Sequence, residues 1–327
     1  MKAPAFWLRG NGGPLAALLS PFGMLYGYGT LARQVFGKPW KCPVPVICVG
    51  NLIAGGAGKT PVVMDLASRL LARGVRPHLI TRGYGGTEKG PLRVSADQYD
   101  ARLVGDEPLL LSGIAPTWVA ESRRSACRGA MVEGAMCMIL DDGFQDPSVA
   151  KDLSLVIVDG GYGFGNGYMI PAGPLREPVA QGLSRADAVI IMGEDTTGVI
   201  DQVAGRCPVL RADLKPGAAA SDLAGKPVSA FAGIGRPEKF FTTLRQIGCD
   251  VRDTTSFADH HNYTKVELEH LKANATRDGV TLVTTEKDRV RIPPEARSDI
   301  IAVAVEVAWE NEGGINALLD PVVNDVI

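Results

Sequence analysis

Between residues 50 and 63 the chain reads GNLIAGGAGKTPVV. Its GGAGKT segment (Gly55, Gly56, Ala57, Gly58, Lys59 and Thr60) joins an apolar run to a helical pattern. In that setting backbone N–H groups and a positive helix end can hold phosphate. A lysine there neutralises phosphate charge, and a threonine hydroxyl binds Mg²⁺. The full spacing G-x-x-x-x-G-K-[ST] would put glycine at position 53, where this chain has Ile53. Gly50, Gly55 and Gly56 still leave backbone free to wrap an anion. A nucleotide-binding loop is expected, with a tight structural turn as the alternative.

MCMILDDGFQD (136–146) is an apolar strand that ends in paired carboxylates. At the carboxyl end of a parallel strand, Asp141 and Asp142 emerge beside the phosphate loop, where a triphosphate-bound Mg²⁺ needs oxygen ligands. A solvated Asp-Asp-Gly turn is the plain alternative. VGDEP (104–108) supplies Asp106 and Glu107, and FADHHNY (257–263) supplies Asp259, His260 and His261. A sugar hydroxyl attacking a phosphoryl group must give up its proton, which carboxylate or imidazole can accept. Taken singly, these residues are more often capping or surface groups. YGFGNGYMIPAGPLREP (162–178) does not make G-x-G-x-x-G and precedes no obvious helix. It reads as a substrate loop carrying Arg176 and Glu177, or as a surface turn. TTEKDRV (284–290) contains no N-K-x-D guanine-reading signature, which argues against a GTPase.

These residues need a scaffold, and the pattern supplies one. Short apolar runs at 44–50, 77–82, 117–121, 137–142, 153–159 and 187–193 alternate with helical patterns, as in a largely parallel sheet covered by helices. PVVMDLASRLLARG (61–74) is the helix after the first strand, with proline near its start and glycine at its end. A composition shift at 211–228 reads as a connection between domains. A second α/β series follows: a strand and turn at 228–235, a helix at 237–248, a strand and loop at 279–288, and a last strand at 300–307. The fold class is α/β: a P-loop NTPase-like α/β/α domain with a mainly parallel sheet (41–220) plus a smaller second α/β domain (221–327). Before both, residues 1–40 form an N-terminal amphipathic segment.

That segment includes PLAALLSPFGMLYGYGTLARQVF (14–36), which has no charge before Arg33 and is flanked by Arg9, Arg33, Lys38 and Lys41. Leu15, Leu18, Leu19, Phe22, Leu25 and Tyr26 recur at helical spacing, giving one apolar face. Pro21 and several glycines weigh against a simple spanning helix. The readings are a helix on a membrane surface, a docking helix, and a true span. The 327 residues exceed one ordinary core and suggest two domains; 46% hydrophobic and 21% charged residues describe a folded protein. A net charge of −2 gives no basic excess for nucleic acid. Six cysteines show no C-x-x-C spacing and read as reduced thiols of a cytosolic compartment. The N-terminus has no compact apolar run followed by a cleavage site, so no cleavable signal peptide is expected.

Together, GNLIAGGAGKTP, TRGYGG, GDEP, LDDGFQ, PAGPLREP, FADHH and TTEKD, in that order, closely resemble the tetraacyldisaccharide 4'-kinases, and the resemblance covers nearly the whole chain. That family's phosphate loop also lacks the early glycine. The resemblance implies a kinase of the lipid A precursor that transfers the γ-phosphoryl of Mg-ATP to the 4'-hydroxyl of a tetraacylated glucosamine disaccharide 1-phosphate. It implies that Lys59 and Thr60 hold phosphate and Mg²⁺, that Asp141, Asp142 and Glu177 organise the metal and reacting groups, and that Asp106 is the base, supported by His260 or His261. It also implies that the N-terminal helix lies on the cytoplasmic face of a Gram-negative inner membrane, its basic flanks near anionic headgroups. One departure is Asp146, where the family usually has histidine. The rival expectations are a soluble P-loop kinase or ATPase of a small metabolite and a nucleotide-gated binding protein.

Overall fold

The computed structural model describes residues 4–8, 10, 12–235 and 237–326; Arg9, one of the basic flanks, lies outside them. Nine strands form the larger sheet: β1 (Val46–Gly50), β2 (Pro77–Thr81), β3 (Leu92–Arg93), β4 (Thr117–Val119), β5 (Cys137–Asp141), β6 (Leu153–Asp159), β7 (Ala188–Met192), β8 (Val209–Pro216) and β13 (Val305–Trp309). Their spatial order is β13-β8-β7-β6-β1-β5-β2-β4-β3, parallel from β8 to β4 and antiparallel only at the two edges. The smaller sheet, in the order β10-β9-β11-β12, is wholly parallel and contains β9 (Pro227–Ala232), β10 (Asp250–Ser256), β11 (Thr281–Thr285) and β12 (Ile300–Val303).

The helices are α1 (Gly13–Phe36), α2 (Lys59–Ala72), α3 (Ala101–Val104), α4 (Asp106–Ser112), α5 (Arg123–Val132), α6 (Val179–Leu183), α7 (Val199–Val203), α8 (Pro237–Gln246), α9 (Lys265–Asp278), α10 (Glu286–Arg289) and α11 (Glu312–Asn324). β1 is buried on both faces: Ile47 and Val49 enter one core with α2, and Val46 and Cys48 enter the other. This is why the central strands read as unbroken apolar runs rather than alternating ones. From α2, Val62, Val63, Leu66 and Leu70 are fully buried, each worth about 1.5–3 kcal/mol. Strand order reverses around β1, so its carboxyl end opens onto the crevice where doubly wound sheets bind ligands.

Two expectations need correction. Residues 211–216, read as part of a connection, are strand: β8 continues to Pro216 and pairs with β13. The expected last strand at 300–307 is two strands, β12 in the smaller sheet and β13 in the larger, separated only by residue 304. Residues 305–324, assigned from sequence to the smaller unit, thus pack with the larger one, where Ile315, Leu319 and Val322 of α11 enter the α2 core. Arg69 of α2 and Arg73, which caps its carboxyl end, reach Glu312, Asn316 and Asp320 of α11, and the Trp309 indole donates to Asp65 at 2.9 Å.

The N-terminal segment forms a 24-residue helix with Pro21 inside it. Its small residues Ala16, Gly23 and Gly27 are buried, while Leu18, Phe22 and Leu25 are 71%, 62% and 71% exposed. The helix approaches Met169 so closely that a Cβ on Gly23 would sit 2.8 Å from the Met169 carbonyl oxygen. It docks by its narrow small-residue face and leaves the large apolar side chains outward. In length and hydropathy it also meets the measure of a membrane span.

Candidate active site

The glycine-rich loop runs from the end of β1 to the start of α2. Where the usual spacing has glycine, Ile53 is buried and bridges antiparallel to Leu175. The Ala54 N–H donates to Pro174 O at 2.7 Å, and the Arg176 N–H donates to Leu52 O at 2.8 Å. The first half of the loop is therefore a short ribbon stitched to residues 174–176, which supplies the order an early glycine turn would otherwise bring. Asn51 closes the loop by donating to Gly55 O at 3.1 Å. Gly55 (φ 129°) and Gly58 (φ 84°) occupy the region that favours glycine. Nothing lies within 4 Å of a Cβ built on Gly55 or Gly56, so the loop is open on one side. α2 begins at Lys59 without a side-chain cap, leaving its first N–H groups for an anion.

Lys59 Nζ lies 3.4 Å from Asp142 Oδ1, and Arg176 Nη1 donates to both oxygens of Asp142 at 2.8 and 3.0 Å. Burial would raise the Asp142 carboxyl, but Lys59 and Arg176 outweigh it and hold the group below the usual range. Asp142 adopts φ 51°, a left-handed conformation that turns the chain sharply after β5. Asp141, one residue earlier, behaves oppositely. It is 2% exposed, and burial, reinforced by the nearby charge of Glu107, pushes its carboxyl up to about 7. Its Oδ1 is buried with no hydrogen-bond partner among the described residues. An orphaned carboxylate oxygen beside a phosphate loop fits a divalent cation, whose charge would favour the ionised form. The described residues contain no group of three or more potential metal ligands. Mg²⁺ commonly takes one or two protein carboxylates and completes its shell with phosphate and water.

Glu177 is 1% exposed, and its carboxylate is occupied: Arg185 Nη2 donates to both oxygens at 3.0 and 2.8 Å, and Gln145 Nε2 donates to Oε1 at 3.0 Å. The same Gln145 nitrogen donates to Asn51 O at 2.8 Å, tying Glu177 to the root of the phosphate loop. Asp106 opens α4 and is 8% exposed. It receives His260 Nδ1 at 2.7 Å and Arg291 Nη2 at 2.7 Å. Glu107 pairs with Lys287 of α10 at 3.2 Å. Between the two adjacent histidines the geometry is unequal. His261 lies 3.1 Å from both Glu267 oxygens and stacks on Phe257 at 4.7 Å, whereas His260, at φ 60°, turns to Asp106. Asp259 stands 3.9 Å from His260 Nε2.

A family model described as tetraacyldisaccharide-1-P 4'-kinase matches residues 15–324. The chain belongs to that family. A tetraacyldisaccharide 4'-kinase of Rhodospirillum centenum is 52% identical over 99% of this chain and 97% of its own length. One of Gluconacetobacter diazotrophicus is 50% identical over 98% of each. Among solved structures, LpxK from Aquifex aeolicus in complex with ATP superposes with a TM-score of 0.77, at 29% identity, over 94% of this chain and 99% of that one. The protein is thus a P-loop-type phosphotransferase that acts on a hydroxyl in lipid A biosynthesis, and neither rival expectation is favoured.

Four residues that touch these side chains escaped the sequence reading. Gln145 lies within LDDGFQ but was given no role. Arg185 and Arg291 stand outside the motifs, and their partners lie on other elements. Arg123, on α5 and 1% exposed, donates through Nη2 to the carbonyls of Asp141 (3.1 Å) and Asp142 (2.6 Å) and through Nη1 to Asp146 at 2.9 Å. Asp146 therefore anchors the arginine that holds the two-carboxylate turn.

Proposed function

We propose that this cleft transfers the γ-phosphoryl group of ATP to the 4'-hydroxyl of tetraacyldisaccharide 1-phosphate. The observation that carries the reading is the juxtaposition of Lys59, Asp142 and the orphaned Asp141 oxygen at the mouth of an uncapped helix. Backbone N–H groups of residues 55–60 bind the phosphates, and Lys59 offsets their charge. Thr60 and Asp141, with Asp142, would hold Mg²⁺, which when bound would supply positive charge against the phosphate groups. Lys59 and Arg176 share Asp142, so phosphate entering the loop draws Lys59 from a partner already balanced by arginine. Asp106 takes the proton of the attacking hydroxyl as the new O–P bond forms and the bond to the ADP oxygen breaks. His260 holds that carboxylate from the smaller unit (221–304), and Glu177 keeps Arg185 and Gln145 in place behind the loop. Most of the acceleration comes from positioning and charge stabilisation, with the base adding roughly 10²–10⁴-fold.

Membrane association belongs to the same proposal. The outward side chains of α1 suit acyl chains, and Arg33, Lys38 and Lys41 at its carboxyl end suit anionic headgroups of the cytoplasmic leaflet. The test is phosphate transfer from γ-labelled ATP to the purified lipid acceptor in detergent micelles, comparing the native chain with Lys59→Ala. A lysine-dependent bisphosphate product is the expected result. Equal product from both proteins would remove Lys59 from the site, and no product from the native chain would overturn the reaction.

A further inference from the structure

Asp106 is approached by two donors on one oxygen. His260 Nδ1 and Arg291 Nη2 both lie 2.7 Å from its Oδ2, and neither contact uses Oδ1. The Arg291 side chain is 1% exposed. Its Nη1 donates to Gly233 O at 2.8 Å and to Asp288 Oδ1 at 3.0 Å. Asp288 is fully buried and in turn accepts from the Gly233 N–H at 2.9 Å, the Tyr263 hydroxyl at 2.8 Å and the Thr285 hydroxyl at 2.6 Å. The Gly233 carbonyl also accepts the His260 N–H at 3.0 Å. Gly233, Asp288 and Arg291 therefore form one closed block, from which an imidazole and a guanidinium reach the same carboxylate oxygen.

A buried guanidinium is tolerated when carboxylates and carbonyls take its protons, and its planar fork fixes their relative orientation in a way an ammonium does not. Here the fork spans Asp288, on α10 beside the smaller sheet, and Asp106, on α4 beside the larger. We infer that Arg291 is a positioning residue for the phosphoryl acceptor. It ties Asp106 Oδ2 to the smaller unit and so reserves Oδ1 for the attacking hydroxyl. That proton passes to Oδ1 while Arg291 keeps its own. The inference rests on Asp106 acting as the base.

The test measures kcat and KM for ATP and for the lipid in Arg291→Met and Arg291→Lys, each alone and combined with Asp106→Ala. Arg291→Met lowers kcat on the order of 10²-fold, the cost of misplacing a reacting group, with KM for ATP within about twofold of native. Arg291→Lys restores only part of the loss, because an ammonium supplies the charge but not the planar fork; a role of charge alone predicts full recovery. In the Asp106→Ala background, Arg291→Met changes kcat by less than about twofold, because the two residues act as one unit. A full further loss in that background would overturn the inference, since Arg291 would then act without the carboxylate. Native kcat in Asp106→Ala alone would instead sink the reading of Asp106 as the base. Should Arg291→Met lose ATP binding through misfolding, Arg291→Lys decides: it keeps a charge beside Asp288, and native kcat in that variant would overturn the inference.

Discussion

Replacing Asp146 by Asn tests whether a buried ion pair holds the two-carboxylate turn. The Arg123 and Asp146 side chains are 2% and 12% exposed, with Nη1 and Oδ2 2.9 Å apart. Arg82 donates to the same oxygen at 3.2 Å, and the Ser148 N–H donates to Oδ1 at 2.9 Å. Removing one partner of a buried pair costs about 3–5 kcal/mol, because the remaining charge is stranded. Arg123 keeps its two carbonyl acceptors and Asn keeps one acceptor oxygen, so the lower end, about 3 kcal/mol, is expected. At roughly 2–4 °C per kcal/mol, the melting temperature falls by roughly 6–12 °C. Burial would raise the Asp146 carboxyl, but the Ser148 hydrogen bonds and Arg123 outweigh it and hold the group well below the usual carboxylate range. A carboxyl depressed on folding stabilises fully above its unfolded value, about 4, and loses that contribution as pH falls through the folded value. Melting of both proteins by circular dichroism at neutral and acid pH should therefore show a constant gap from pH 8 to 5 that narrows below about pH 4. A neutral-pH drop under about 2 °C, less than 1 kcal/mol on the same scale, would refute the reasoning.

Gly23→Ala should overpack α1, because the added methyl would sit 2.8 Å from a backbone oxygen that cannot yield cheaply. A loss of about 1–3 kcal/mol should appear as faster proteolytic cleavage within residues 13–36, and an unchanged digestion rate would count against close docking. Replacing both Leu18 and Leu25 with Ser should leave melting unchanged, since both side chains are 71% exposed. Vesicle association should weaken by roughly 10²–10⁴-fold if each leucine contributes about 1.5–3 kcal/mol of burial. Undiminished flotation would show that these side chains do not enter the membrane.

What the sequence made legible was chemistry carried by contiguous residues. A loop, a carboxylate pair at a strand end and a histidine pair each declare themselves within a few positions, and the apolar runs of a doubly buried parallel sheet are unambiguous. Pairing at a distance was not legible. β8 alternates weakly because it lies near an edge and is half exposed, so residues 211–216 resembled a connection until β13 was seen against it. The polar strand β10 bears little apolar pattern and also lies at an edge. The choice between His260 and His261 depends on Glu267, which both boxes the cap of α9 and captures His261. Arg123, Arg185 and Arg291 have no local signature, since each is defined by a carboxylate on another element.

The single residue between β12 and β13 makes the smaller sheet an insertion within the larger one, and so sets an order of assembly during synthesis. A nascent chain that has emerged through Pro216 holds eight strands of the larger sheet but leaves one edge of β8 unpaired and the α2 core without α11. Open strand edges and uncovered apolar faces are what chaperones bind and what aggregates. The larger sheet closes only when Val305–Trp309 leaves the ribosome, after every strand of the smaller one. A ribosome that stalls after the phosphate loop and both carboxylates have emerged thus releases a fragment with its chemistry encoded and its scaffold unsealed.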